Sequence, residues 1–274
     1  MPPWFAPTFT RFECARYCTG RIVTVKQGAG FYRGMLISNP DHVNALDGLY
    51  GSDGSYNMYV SGYTWDWKSF IDRYGIPPSF TDGTAFNAWR KDKMTPSLSE
   101  FILKKDLVFE VDHAADKGLQ ATVPYVTAIT NNLASRGWPF HVLFSGGHGY
   151  HIIAEDCERY FTPAGIECFA RSINALAYAA IELAGKVLDE ALAGQAFKDM
   201  GQAGRDYADA SIHYSPMMPQ GLRKAGYSVT EHGTVCLPVS KSDVIKAQDK
   251  GYYDAARVIK MFRIKGRGWL DVWR

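Results

Sequence analysis

Short apolar runs separated by glycine-rich turns dominate the first third of the chain. Two of them, residues 21–25 and 31–37, flank the turn Gln27-Gly28-Ala29-Gly30, which is the pattern of two strands joined by a tight connection. Residues 57–63 predict a third strand. Residues 103–112 alternate enough to predict a strand that enters a buried sheet, whereas residues 65–100 have no assigned role.

Longer periodic segments follow residue 112. Residues 119–135 predict a helix that ends at Arg136-Gly137-Trp138-Pro139, and residues 140–144 and 150–154 predict two strands joined by a glycine-rich turn. Residues 163–193 are strongly helical in pattern, residues beyond 207 predict short strands, and residues 260–274 are basic. This order predicts a mixed α/β fold without the regular strand–helix alternation of a doubly wound sheet.

Composition narrows the class of protein. The chain has 274 residues, which suffices for one large domain or for two lobes that share a cleft. Its best membrane-spanning candidate, residues 175–188, is interrupted by Glu182 and Lys186, and no secretory signal is visible. Five scattered cysteines suit a reducing cytosol, so we expect a cytoplasmic protein. With a net charge of only +2, contact with nucleic acid would need a local basic surface.

The first cluster whose side chains could take part in catalysis is the run Leu107-Val108-Phe109-Glu110-Val111-Asp112. On a strand, Glu110 and Asp112 project from the same face while Val111 projects from the other. Two carboxylates so close repel each other unless a cation lies between them, and paired magnesium ions in phosphoryl transfer meet that need. The alternative is a strand that runs into an acidic turn at the surface.

The second cluster is Phe144-Ser145-Gly146-Gly147-His148-Gly149-Tyr150-His151. Its glycines let backbone N–H groups approach a phosphate, and its hydroxyl and imidazoles add donors. A plain hairpin is the alternative, because Gly-Gly is a favoured turn signal. A zinc site at His148 and His151 lacks nearby thiolates or a third well-spaced ligand, so we favour a phosphate-binding turn.

The third cluster is weaker. Asp209 is a candidate for a third carboxylate, and Arg223 and Lys224 suit a triphosphate or a template backbone. An aspartate at the start of a strand is commonplace, however, and basic residues usually lie on a solvated face.

In this order and spacing the clusters resemble the motifs of the archaeo-eukaryotic primase superfamily, especially the catalytic small subunit of primase. That family has an acidic-x-acidic pair at the end of a strand, a helix, a Ser-Gly-x-x-Gly-x-His motif and then a lone Asp. Glu110 and Asp112 match the pair, although the family more often has Asp first. The second motif is matched at each defined position, by Ser145, Gly146, Gly149 and His151.

The rest of the resemblance is looser. Asp209 is the match for the third carboxylate, with Asp206 as a rival, and residues 223–228 and 233–238 resemble the basic stretch and the closing strand that follow it. Residues 21–25, 31–33 and 59–61 resemble paired strands that carry nucleotide-contacting arginines, which makes Arg21 a candidate. No cysteine lies between residues 112 and 145, where many primase subunits hold a zinc knuckle, and His232 is displaced from the position of the family's histidine.

The resemblance implies an α/β (α+β) fold in which an RRM-like sheet combines with a second αβ lobe, with the active site in the cleft between them. It implies a single catalytic domain over residues 1–274. Its parts would be an N-terminal lobe over about residues 1–100, an RRM-like catalytic lobe over about 101–240 and a basic C-terminal segment over 241–274.

The resemblance also implies an activity. We expect a nucleotidyltransferase, a primase or polymerase, in which Glu110, Asp112 and Asp209 hold two Mg²⁺ or Mn²⁺ ions. A further group would bind the triphosphate; its expected members are Ser145, His148, His151, Arg21, Arg223 and Lys224. The expected partners are a single-stranded template, a primer, NTP or dNTP and a helicase or accessory primase subunit, with no membrane. The departures suggest a divergent member from a mobile element or virus, and no structural zinc is expected.

Two other classes remain as alternatives. A rolling-circle initiation endonuclease also uses a recognition-motif-like sheet, but it needs two histidines separated by one residue on a strand. His148 and His151 are separated by two residues, which would aim them at opposite faces. A catalytically inactive nucleic-acid-binding module is the other alternative.

Overall fold

The structure is a computed structural model that describes residues 14–15, 17–28, 30–37, 40–50, 57–79, 82–94, 98–155, 173–201, 204–214, 222–228, 230, 232–254 and 256–258. The strands are β1 (Ile22–Gln27), β2 (Gly30–Leu36), β3 (Asn57–Ser61), β4 (Tyr63–Trp65), β5 (Ile102–Lys105), β6 (Leu107–His113), β7 (Phe140–Phe144), β8 (Gly149–Ala154), β9 (Lys198–Asp199), β10 (Gly204–Asp206), β11 (Ala210–Tyr214), β12 (Leu222–Lys224) and β13 (Leu237–Pro238). The helices are α1 (Pro40–Tyr50), α2 (Trp67–Tyr74), α3 (Gly83–Trp89), α4 (Val123–Ser135), α5 (Ile173–Ala191) and α6 (Lys241–Lys246).

Two compact units make up the chain. The first consists of Met1–Lys105 with Pro219–Glu231, and the second of Asp106–Met218 with His232–Arg274. The first unit holds a four-stranded antiparallel sheet in the order β12-β3-β1-β2 and the two-stranded pair β4-β5. The second holds a seven-stranded sheet in the order β13-β7-β8-β6-β11-β10-β9.

Most of the predicted elements are confirmed. The strands over 21–25 and 31–37, the helix over 119–135 and the two strands around the glycine turn all form, although residues Leu119–Thr122 are a 3-10 turn before α4 begins. The helix predicted over 163–193 is α5, and its first ten residues lie outside the described residues, as does the basic stretch 260–274.

Two predicted strands are each divided. The strand over 57–63 breaks after Ser61, where the hydroxyl of Ser61 donates to the Tyr63 carbonyl at 2.9 Å and closes a local turn. The strand over 103–112 breaks at Asp106, because β5 pairs with β4 in the first unit while β6 pairs with β8 and β11 in the second. The break lies where the chain passes from one unit to the other.

Residues 65–100, which the sequence left without a role, form a small aromatic core in the first unit. Asp66 begins α2 by accepting from the Ser69 backbone N–H at 3.0 Å. The buried ring of Phe70 meets Trp89 and Phe101 edge to face, with centroids 5.8 and 5.1 Å apart. Edge-to-face aromatic pairs of this kind stabilise a core beyond the area that they bury.

The centre of the second unit is a recognition-motif-like sheet. Its elements follow the order β6-α4-β7-β8-α5-β11, and its central strands lie in the spatial order β11-β6-β8-β7. This is the β-α-β-β-α-β arrangement in which the first and third strands lie side by side in the middle. The hairpin β9-β10 precedes β11 and extends one edge, and β13 extends the other.

The helices α4 and α5 of this unit cover one face of the sheet. Asp189 on α5 binds Arg205 on β10 at 2.8 Å, and the ring of Tyr125 on α4 lies 5.1 Å from that of Tyr207. Arg205 pairs directly with Ile212, so the helices lie on the face to which odd positions of β10 and even positions of β11 point. Asp206 pairs with Ser211 and therefore projects from the opposite face.

One segment departs from the lobe boundaries that the sequence suggested. Residues 222–224 were expected in the catalytic lobe over 101–240, but β12 pairs with β3 and extends the sheet of the first unit. In the part of the chain that the structure describes, no helix is long and apolar enough to cross a membrane.

Candidate active site

The acidic pair lies on the second-unit strand whose neighbours are β8 and β11. Glu110 pairs directly with His151 of β8 on one side and with His213 of β11 on the other. Asp112 pairs with Gly149 and with Ser211. Directly paired residues of antiparallel strands direct their side chains to the same face, so these six positions share the face opposite to the helices.

The surroundings of Glu110 change the pKa of its carboxyl. Desolvation by burial raises the pKa of its carboxyl, the negative charge of Asp112 raises it further, and His213 opposes the shift, giving a pKa of about 7. Both effects disfavour the charged carboxylate. A nearby cation would reverse them, so this position is suited to binding one.

Gly149 lets the central strands β6 and β8 approach each other closely at the end of β6 that carries Asp112. A Cβ atom added at Gly149 would lie 1.9 Å from the carbonyl oxygen of Val111 and 2.6 Å from Oδ1 of Asp112. Real Cβ atoms do not reach such distances. The glycine therefore leaves the space that the Asp112 carboxylate occupies.

The turn between β7 and β8 is held at both ends. The backbone N–H of Ser145 donates to the Gly149 carbonyl at 3.0 Å, and Gly146 has a φ of 89°, which favours glycine. The buried hydroxyl of Thr234 donates to the Gly146 carbonyl at 2.6 Å. The His113 N–H donates to the His148 carbonyl at 3.1 Å, which ties the turn to the end of β6 beside Asp112.

Of the two histidines in the glycine motif, only His151 lies in a strand. It is 7% exposed and shares the face of Glu110. His148 lies in the turn and is exposed, with its ring centroid 5.5 Å from that of His113 and 6.4 Å from that of His232. His232, which the sequence singled out as displaced, therefore lies against the same turn.

Asp209 is the last residue of the three-residue turn between β10 and β11, where its carboxylate is half-exposed and 3.4 Å from the ammonium of Lys117. Its charge and backbone also act on the hydroxyl of Tyr125, a residue of α4.

The rival carboxylate, Asp206, lies on the same face as Asp112. It pairs with Ser211, which pairs with Asp112, so Asp206 is two strands away. Two interstrand spacings amount to about 10 Å between Cα atoms.

The three basic candidates all belong to the first unit. Arg223 is 1% exposed, and its guanidinium donates to the Tyr17 hydroxyl and lies 5.0 Å from the centre of that ring. Lys224 donates to Oδ1 of Asn57 at 2.8 Å, and Arg21 donates to the Ser61 carbonyl at 3.0 Å. Burial of Arg223 gives it a packing role in this structure and differs from the expected direct contact with a triphosphate.

His213 is the residue that sequence reasoning missed. It lies in the five-residue strand β11 and directly faces Glu110, but it has no neighbouring motif in the sequence. Only the register of β11 against β6 identifies it. The alternation of β11, in which Ala210, Ile212 and Tyr214 are buried, was the available signal that His213 projects from the other face.

The donors on this face suit a hard divalent cation. Mg²⁺ is usually held by one or two carboxylates together with water and substrate phosphates. Within the described ranges, no three His, Cys, Asp or Glu side chains lie close enough to form a complete metal site by themselves. Glu110 and Asp112 thus fit as part of a coordination shell that a phosphate would complete.

Comparison with known proteins supports the fold. No protein-family model matches the chain, and no curated protein sequence matches it. Among solved structures, the chain is similar to the polymerase domain of ligase D from Mycobacterium tuberculosis, which was determined in complex with DNA. The TM-score is 0.56 at 13% sequence identity, over 94% of this chain and 87% of that one.

The likeness confirms the expected fold class. The chain is an α+β protein whose fold is similar to that of the ligase D polymerase domain, and its recognition-motif-like sheet carries the acidic pair. The site in that sheet is the second unit's own, formed by β6, β8 and β11.

Proposed function

We propose that this protein is a template-dependent nucleotidyltransferase that extends or initiates a nucleic-acid strand. The observation that carries the proposal is the grouping of Glu110, Asp112 and His151 on one face of the recognition-motif-like sheet, beside the Ser145–His148 turn. The polymerase-like fold supports the same class of reaction.

Glu110 and Asp112 would hold the divalent cations, Mg²⁺ or Mn²⁺. Such ions lower the pKa of an attacking 3′-hydroxyl and stabilise the charge on a leaving pyrophosphate. The role of the two side chains is to present unprotonated oxygens on one face. Asp209, which lies 3.4 Å from the Lys117 ammonium, would be the third carboxylate of this set.

The turn and His151 would bind the triphosphate. Residues of the Ser145–His148 turn would supply backbone N–H groups, and Ser145 would add its hydroxyl. His151 lies next to Glu110, where its imidazole would donate to a phosphate oxygen and orient it toward the acidic pair. His148, which is exposed, would contact the outer phosphates or the strand itself.

The direct test is nucleotide incorporation on a defined single-stranded template. The protein is incubated with and without a primer, with each NTP or dNTP alone and with Mg²⁺ or Mn²⁺. We expect products whose added nucleotide matches the template base and which disappear when EDTA is added. Incorporation that ignores the template, or none with any nucleotide, contradicts the proposal.

The same assay separates the two alternative classes. Metal-dependent nicking of the template without nucleotide incorporation would support an endonuclease. Template binding with neither reaction would support an inactive binding module. The proposal also includes a single-stranded template and a primer as partners, and a helicase or accessory subunit would be sought by co-purification.

A further inference from the structure

Three sulfur atoms meet in the interior of the first unit. The thiols of Cys14 and Cys18 each donate to Sδ of Met58, and both Sγ–Sδ distances are 3.7 Å. Each of the three residues is at most 3% exposed. A cysteine can fill a core as a small apolar residue, but apolar packing alone gives no reason for two thiols to converge on one thioether.

Two different elements of the first unit supply these sulfurs. Cys14 and Cys18 lie four positions apart in a segment with helical backbone, so their side chains leave the same face of that segment. Met58 lies on β3, where it pairs with Val25 of β1, and its carbonyl accepts from the Ala225 N–H at 2.9 Å. The sheet thus fixes the thioether, and the helical segment brings both thiols to it.

We propose that Cys14, Cys18 and Met58 form a binding site for the soft monovalent cation Cu⁺, held by three sulfur ligands. Thiolate and thioether sulfurs are among the donors that select Cu(I). The proposal does not rest on nucleotide transfer, because the site lies within the first unit and uses no residue of the acidic strand β6.

The spacing of the sulfurs fits a three-coordinate ion. Metal–sulfur bonds of about 2.3 Å, as in zinc–thiolate sites, place the ligands of a trigonal ion about 4 Å apart. The two Sγ–Sδ distances of 3.7 Å are close to that value. Small rotations of the three side chains therefore admit the ion, and the backbone keeps its position.

The same set of donors is unsuited to zinc. A structural zinc site is almost always tetrahedral, with four ligands drawn from Cys, His and acidic side chains. Among the residues that the structure describes, no three His, Cys, Asp or Glu side chains lie close enough to hold a metal ion. Two thiols completed by a neutral thioether match the soft ligands and the low coordination number of Cu⁺ instead.

A buried arginine balances the charge of the loaded site. Cu⁺ that replaces two thiol protons leaves one net negative charge, and a buried charge is costly unless it is paired. Arg223 pairs directly with Val60, two positions from Met58, so its side chain shares the face of Met58. It is 1% exposed, and its guanidinium donates to the hydroxyl of Tyr17 in the helical segment. A positive charge therefore lies on the same side of the sheet as the sulfurs.

The test measures Cu⁺ binding and its ligands directly, without turnover. The reduced full-length protein is titrated with Cu⁺ under anaerobic conditions in competition with bathocuproine disulfonate. We expect one Cu⁺ per chain, release of protons on binding and a higher melting temperature. X-ray absorption at the copper edge should show three sulfurs at about 2.3 Å.

Variants assign the three ligands. An outer-shell residue typically contributes ten- to a hundredfold, so Cys14→Ser or Cys18→Ser should weaken binding by at least about a hundredfold and Met58→Leu by at least about tenfold. Met58→Leu keeps the volume of the side chain, and its copper should retain two sulfurs. Met35→Leu, at another buried methionine of the first unit, is the matched control and should bind like the wild type.

The wild-type spectrum decides the question even if a cysteine variant fails to fold. A copper shell that contains nitrogen or oxygen, or only two sulfurs, would overturn the proposal. So would unchanged affinity in Met58→Leu, or an equal loss in Met35→Leu. Failure to bind Cu⁺ would leave the proposed nucleotide transfer untouched, because that activity is measured separately on the template.

Discussion

At the residue scale, Glu110 and Asp112 differ in their surroundings although they lie two positions apart on one strand. Glu110 lies between two histidines in the middle of the sheet, whereas Asp112 lies at the end of β6, where Gly149 leaves room for its carboxylate. The sequence predicted that they share a face, because alternation along a strand is a local property. It could not predict that the pKa of Glu110 is raised, since its burial depends on strands that lie far away in the sequence.

The raised pKa of Glu110 predicts how stability depends on pH. A carboxyl whose pKa rises from 4.5 to about 7 on folding binds more protons in the native state between those values. The stability of the metal-free protein should therefore fall as the pH rises from 4.5 to 7 and level off above. Between pH 5.5 and 8 this group contributes a loss of roughly 2 kcal/mol.

Glu110→Gln removes this contribution, so the variant should lose less stability over the same interval. Denaturation midpoints in EDTA at pH 5.5 and 8 measure the difference. Identical pH dependence in the two chains would show that Glu110 titrates like an ordinary exposed carboxyl.

His151 should act on the nucleotide rather than on the template. If its imidazole binds a phosphate, His151→Ala should raise the nucleotide KM by about tenfold, the loss of one charge-assisted hydrogen bond. Template affinity, measured by fluorescence anisotropy, should be nearly unchanged. Loss of template affinity at an unchanged KM would refute the role.

At the scale of single elements, the hairpin β7-β8 combines a turn signal with a close approach between strands. Its strands and the Gly-Gly connection could be predicted from the sequence, because hairpin turns depend on local residues. The contact of Gly149 with Val111 and Asp112 could not, because it requires the pairing of β8 with β6. Glycine at position 149 is therefore favoured by the close packing of β8 against β6 as well as by the turn.

Gly149→Ala should destabilise the second unit and disturb the acidic pair. The added Cβ would overlap the Val111 carbonyl and the Asp112 carboxylate, and such overpacking costs about 1–3 kcal/mol or more. Gly83→Ala is the control, because nothing lies within 4 Å of its added Cβ. Thermal melting should show a clear loss only for Gly149→Ala, and equal melting temperatures would contradict the close approach.

The strand β12 supplies a second prediction at this scale. Arg223 is buried against Tyr17, so Arg223→Ala should lower the free energy of unfolding by roughly 3 kcal/mol through lost packing. Lys224→Ala, which removes a partly buried lysine bonded to Asn57, should cost less than about 1 kcal/mol. If Arg223→Ala melts like the wild type but raises the nucleotide KM, that result would instead support the direct contact with the triphosphate expected from the sequence.

At the scale of the whole molecule, local patterns predicted the second unit better than the first. The order of β6, α4, β7 and β8 follows directly from consecutive segments with short connections. The first unit is completed by β12, where Lys224 bonds to Asn57 across 167 residues of chain. A three-residue strand has no periodicity to detect, and a contact so distant in sequence leaves no local signal.

In the candidate site, too, the parts that depend on local sequence were predicted and those that depend on distant contacts were not. Its contributions from β6 and from the glycine turn were predicted, because each lies within a contiguous motif. The third carboxylate was expected at Asp209 from its spacing along the chain. Spacing, however, does not fix the direction of a side chain in a turn. The register of β11 against β6, which no local pattern indicates, places His213 opposite Glu110.

The central claim is that the acidic pair on β6 carries nucleotide transfer, and primer extension by matched variants tests it most directly. Asp112→Asn keeps the size of the side chain and removes its charge, while Asp116→Asn makes the same change at an exposed position four residues later. We expect Asp112→Asn to lose extension by at least a hundredfold while melting at or above the wild-type temperature, because repulsion with Glu110 is relieved. Asp116→Asn should extend primers like the wild type, and near-wild-type extension by Asp112→Asn would show that the acidic pair does not carry nucleotide transfer.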